Sequence, residues 1–121
     1  MSTLKADTFQ DTNGNGLYPS RAWVKFKGSG TASILGSGNV STLTDNGTGD
    51  YSIAFTNSLS SANYSTTACG NRINGNANES SPNVGFYYSS NYTSSGYRIL
   101  TYDNNADGRQ DCTFVTLTST G

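Results

Sequence analysis

DYSIAFT, residues 50–56, decides the fold class, because it alternates without a break. Tyr51, Ile53 and Phe55 would share one face of an extended strand, while Ser52, Ala54 and Thr56 would share the other. A sheet with one buried and one wet side demands this pattern. Working outward, similar runs recur as AWVKFK (22–27), TASIL (31–35), NVSTLT (39–44), ANYSTTAC (62–69), NVGFYY (83–88), GYRILTY (96–102) and CTFVTLT (112–118). The gaps carry turn chemistry: GSG twice, DNGTG, NSLSS. In DNGTG the Asn46–Gly47 step tolerates positive φ and predicts a hairpin between NVSTLT and DYSIAFT. No helical period competes, and 14 Gly among many Ser, Thr and Asn make a long helix costly. Short strands about ten residues apart predict an all-β chain, a compact antiparallel β-sandwich or jelly-roll-like domain over residues 20–121.

The core must be thin. Leu, Ile, Val and Phe occupy 20 of 121 positions, which would raise a suspicion of disorder were the net charge not only −1. Eight Tyr, five Phe and one Trp supply the missing apolar bulk. A thin core is often completed by a second chain, so an oligomer is expected. In AWVKFK, Ala22, Val24 and Phe26 oppose Trp23, Lys25 and Lys27. Trp23 then either lies under the lysine stems or enters a subunit interface, and it is the candidate oligomer anchor.

Residues 1–19 differ from the rest. They are polar, punctuated by NGNG and closed by Pro19, with Leu4, Phe9 and Leu17 as the few apolar anchors. They read as an N-terminal arm for docking.

Charge and composition exclude several classes of function. Seven scattered Lys and Arg form no basic stripe, so nucleic acid is not an expected partner. No apolar run is long enough for membrane insertion, and MSTLKADTFQ has no signal-peptide core, so a soluble chain made in the cytoplasm without an export signal is expected. With no His in the chain, His-based triads, bases and metal ligands are unavailable; Glu79 is the only Glu and has no evident carboxylate mate. No enzymatic role and no cofactor are expected. Cys69 and Cys112 are read as two small buried hydrophobes rather than a disulfide scaffold.

One metal set is conceivable. Asp103, Asn105 and Asp107, followed by Gly108 and with Asp111 at the ninth position, match the opening of an EF-hand loop. Phe114 stands where the bidentate Glu belongs, and strands flank the loop, so a plain hairpin loop accounts for it equally. The remaining chemistry is recognition: GFYYSSNYTSSGYRIL (85–100) holds five rings among Ser, Thr, Asn and Gly. Rigid amphipathic rings beside small hydrogen-bonding residues suit an adaptable contact surface, and Tyr87, Asn91, Tyr92 and Tyr97 are its candidate residues. Alternation makes Phe86, with Ile99 or Leu100, the expected core contribution of this stretch, and leaves Tyr92 with nothing to hold it inside.

The AWVKFKG strand, the NVSTLTDNGTGDY hairpin, the FTNSLSSANYS step and the closing DCTFVTLTSTG resemble a pattern found in tail-fibre and receptor-binding proteins of tailed bacteriophages, particularly of marine and cyanobacterial hosts. STLKADTFQDTNGNGLYP is similar to the segment that often precedes that domain. The resemblance implies a compact, homotrimeric virion structural protein used in host attachment, with no catalytic residues. Its implied partners are itself, another virion protein through residues 1–19, and a host-surface polysaccharide or outer-membrane receptor. A long fibre shaft is missing, which admits an alternative: a capsid or neck decoration protein docked by its arm.

Overall fold

The computed structural model describes residues 10–16, 20–70, 82–103 and 108–121. Among them run nine strands: β1 (Ser20–Lys27), β2 (Ser33–Gly38), β3 (Val40–Gly47), β4 (Asp50–Phe55), β5 (Ser65–Gly70), β6 (Pro82–Phe86), β7 (Gly96–Asp103), β8 (Gly108–Arg109) and β9 (Phe114–Thr120). They form two antiparallel sheets. The first has the order β2-β1-β9-β5; the second has the order β3-β4-β7-β6, with the two-residue β8 also paired to β7. The all-β, sandwich-like expectation therefore holds.

The inner faces are those the alternation marks. Ala22, Val24 and Phe26 of β1 and Val115 and Leu117 of β9 meet Tyr51, Ile53 and Phe55 of β4 and Tyr97 and Ile99 of β7, all of them buried. Phe26 and Tyr51 join the layers, with ring centroids 4.9 Å apart. The Tyr51 hydroxyl lies 2.8 Å from the Gly28 carbonyl and 2.7 Å from Asp111 Oδ1, so the deepest ring keeps its polar end satisfied. Burial, reinforced by that carboxylate, raises the Tyr51 phenol far above its ordinary pKa.

Three local features depart from the expectation. TASIL becomes Ser33–Gly38, so the GSG read as a turn is strand. Trp23 explains this: its indole lies across Gly36 and Gly38, where a Cβ at Gly36 would come within 3.3 Å of Cη2 and one at Gly38 would overlap the ring. The chain then passes from the first sheet to the second through Asn39 alone, at φ 57°. Its side chain fastens this corner, donating to the Arg21 and Asn57 carbonyls at 3.2 and 3.0 Å and accepting from the Asn57 amide at 2.8 Å. Finally, the hairpin tip is Thr48–Gly49 rather than Asn46–Gly47, since Gly47 already pairs with Asp50. Gly49, at φ 63°, is packed so closely that a Cβ would approach the Thr101 carbonyl oxygen to 2.6 Å.

One core expectation of the 85–100 stretch needs correction: Phe86 is 42% exposed. Leu100 is buried as well as Ile99, on the other face of the strand, between Gly85 and Asp50. Ile99 is central, as expected. Cys112 is buried, which raises its thiol pKa to about 11, but Cys69 is exposed on β5, and both are free thiols.

Of the N-terminal arm, residues 10–16 form a closed loop with Gln10 bridged to Gly16. Asp11 Oδ1 accepts from the amides of Asn13 and Asn15, both at 2.9 Å, which hold the carboxyl below its usual range. Leu4, Phe9 and Leu17 lie outside the described residues.

Candidate functional site

The β6–β7 connection builds the site. The hairpin is paired as far as Phe86 and Ile99, and the Tyr87 amide donates to the Arg98 carbonyl at 2.9 Å. A single 3-10 turn at Ser89–Asn91 then folds the chain back, and Thr93 bridges Gly96 to close it. This short excursion carries its rings over the end of the sandwich.

An inner layer of rings seals the core. Tyr92 stacks on Tyr64 at 4.5 Å and lies parallel to Tyr97 at 6.0 Å, while Phe55 meets Tyr64 and Tyr97 edge-on at 5.6 and 5.8 Å. Their hydroxyls are spoken for. Tyr64 donates to the Thr93 carbonyl at 2.8 Å and Tyr92 to the Tyr64 carbonyl at 2.8 Å. Because a hydroxyl donates only once, Thr66 Oγ1, 2.9 Å away, must donate to Tyr92 and accept in turn from Ser119 at 2.8 Å. Burial drives the Tyr64 and Tyr97 phenols well above their ordinary pKa, so neither is a ready acid or nucleophile.

An outer layer of rings stays open. Ala62, Phe86, Tyr87, Tyr88, Ser89 and Tyr92 line a shallow groove of about 530 Å³, and Tyr88 is 64% exposed. Tyr87 is half-buried between two neighbours: the Tyr88 ring at 4.4 Å and the Arg98 guanidinium 3.9 Å from its centroid. Arg98 is itself fixed by Asp50, which is 2% exposed and accepts from Nε at 2.8 Å and Nη2 at 2.7 Å. Those bonds hold the Asp50 carboxyl below its usual range. The chain of support runs from a buried carboxylate through a guanidinium to a ring in the groove.

The sequence-derived candidates separate accordingly. Tyr87 lines the groove; Tyr92 lines it but is held inside by stacking and its hydroxyl bonds, against expectation; Asn91 is exposed on the 3-10 turn. Tyr97 is only 4% exposed and belongs to the core, so its ring cannot meet a ligand. Phe86, Tyr88, Ser89 and Ala62 were missed, although three successive rings at 86–88 could not all fit one inner face and so signalled an outward-facing member. Trp23, at 45% exposure, lies over Gly36 and Gly38 on the outer face of the first sheet.

Of the metal set, Asn105, Asp107 and the Asp103 side chain lie outside the described residues. Asp111 has Oδ1 occupied by the Gly49 amide at 2.8 Å and by the Tyr51 hydroxyl. No group of three His, Cys, Asp or Glu placed to hold a metal occurs among the described residues. A second, polar depression is lined by Arg21, Asn39, Thr56, Asn57, Ser58 and Leu59. Comparison with protein-family models, with curated proteins and with solved structures finds no match to this chain.

Proposed function

We propose that the chain is a non-enzymatic virion structural protein of a tailed bacteriophage, a short tail fibre or receptor-binding domain whose aromatic groove contacts a host-surface polysaccharide. The observation that carries the reading is the open groove at Phe86, Tyr87, Tyr88 and Ser89, in which Phe86 and Tyr88 are exposed and Tyr87 is backed by the Arg98 guanidinium. Preorganised rings bind with little ordering cost, which is what a weak, multivalent surface contact requires. The sequence resemblance supplies the setting: a homotrimer on a virion appendage, docked by residues 1–19.

Saturating purified protein should block phage adsorption to host cells and should bind isolated host-surface polysaccharide. Unchanged adsorption together with no polysaccharide binding would remove the adhesin role.

A second reading, capsid or neck decoration, draws on the first sheet. There Trp23, Leu35 and Phe114 are 45%, 58% and 37% exposed, apolar side chains that a subunit or virion contact would cover. Particles stripped of a decoration protein lose stability and keep host binding; particles stripped of an adhesin do the reverse. In either setting Trp23 is the proposed inter-subunit anchor, and Trp23→Ala should lower the trimer fraction in light scattering. An unchanged mass would remove Trp23 from the interface.

A further inference from the structure

The groove's rings alone would accept any flat apolar ring; what stands at its border narrows the ligand. Tyr87 forms that border, and behind it two guanidinium groups share one carboxylate. Arg98 takes both oxygens of Asp50, at 2.8 and 2.7 Å. Arg109 reaches only Asp50 Oδ2, at 3.3 Å, an oxygen already bonded to Arg98. The Arg109 side chain is 45% exposed, its guanidinium lies 5.9 Å from the Tyr87 centroid, and its other donors have no partner among the described residues. Asp111 does not complete the balance, since it is turned inward to the Gly49 amide and the Tyr51 hydroxyl. Among the described residues the cluster of Asp50, Arg98 and Arg109 therefore sets two guanidinium groups against one carboxylate, with Arg109 the member nearest solvent.

We infer that the groove selects an acidic sugar unit, packing its apolar face on Phe86 and Tyr88 and placing its carboxylate on Arg109. This rests on the reading of the groove as a polysaccharide site and adds the charge of the ligand to it. A guanidinium presents paired donors that match a carboxylate, and it sheds its water more readily than an ammonium. Beside an aromatic surface that combination fits a ring bearing one anionic substituent. A neutral sugar would leave Arg109 unused, and a purely anionic ligand would leave the rings unused.

The test uses oligosaccharides bearing uronate, sialate or pyruvate groups, each beside its carboxyl-reduced counterpart, titrated into the full chain at low and high salt. At least one acidic member should bind, with its reduced counterpart about tenfold weaker, as expected for one charge-assisted contact. The difference should shrink at high salt. Arg109→Gln should weaken the acidic member by a similar factor and leave the reduced one unchanged, while Arg109→Lys, which keeps the charge without the fork, should fall between. Tyr88→Ala should weaken both forms. Equal binding of acidic and reduced forms would overturn the charge assignment and leave the groove standing. Loss on Arg109→Gln with no effect of Tyr88→Ala would overturn the groove itself. Binding of no oligosaccharide, or equally tight binding of hexaglutamate, would overturn the assignment to an acidic sugar.

Discussion

The inner and outer rings meet at the end of the sandwich, and the β6–β7 hairpin contributes to both, yet they do opposite work. Phe55, Tyr64 and Tyr97 are buried, Tyr92 is folded in against them, and the hydroxyls of Tyr64 and Tyr92 are both bonded to backbone carbonyls. Tyr88 is left largely in solvent, and Phe86, edge-on to Tyr92 and Tyr97, keeps 42% of its surface exposed. Residue type does not separate the layers, since tyrosine is in both. The buried tyrosines each keep a partner for the hydroxyl, since burying an unpaired one forfeits much of what the ring's apolar area returns. Tyr51, Tyr64 and Tyr92 use backbone carbonyls and Tyr97 uses Ser119, so this domain buries a tyrosine where its polar end is met.

Substitutions should break the symmetry of type. The largest effect should come from Tyr97→Ala, which empties a core position and should cost about 3–5 kcal/mol in denaturant unfolding. Asp50→Asn comes next, at about 2 kcal/mol, because it leaves Arg98 partly buried without its carboxylate. Its pH dependence has a definite sign. Asp50 has its pKa lowered by folding, so its contribution is present above the ordinary carboxylate value and is lost as pH falls through the lower folded value. The gap between wild type and Asp50→Asn should thus be full at neutral pH, begin to shrink as pH falls past about 4 and close only below the lowered folded value. Tyr92→Phe keeps the stacked ring and removes only the link between Thr66 and the Tyr64 carbonyl, at about 1 kcal/mol. Tyr88→Ala should be the mildest, within about 0.5 kcal/mol, since its ring is largely exposed and packs against Tyr87 at the surface. A Tyr88→Ala cost near that of Tyr97→Ala would mean that the outer layer is structural too.

The strands were legible because period-two alternation survives in DYSIAF, AWVKFK and GYRILTY, and their inward members are the observed core. Alternation also grouped Tyr97 with Ile99, so its place inside could be read from the sequence even though its ring made it a binding candidate. Other features were not legible, for physical reasons. The GSG at 36–38 has turn composition, and only the indole of Trp23 above it explains two glycines within a strand. Asn39 turns the corner through hydrogen bonds to residues 18 positions away on either side, which no local pattern encodes. Tyr92 is held by Tyr64 and Thr66, 28 and 26 positions distant, and the Asp50–Arg98–Tyr87 support spans 48 positions. The groove is thus a tertiary object: its rings were visible in the sequence, but their orientation was not.

The most direct test of the account is binding of wild-type protein and Tyr88→Ala to the same host-surface polysaccharide, with melting temperatures measured alongside. The account predicts equal melting temperatures and an affinity lowered about tenfold or more by Tyr88→Ala, as for a central aromatic anchor. Equal affinities at equal melting temperatures would contradict it, for the outer rings would then be neither fold nor site.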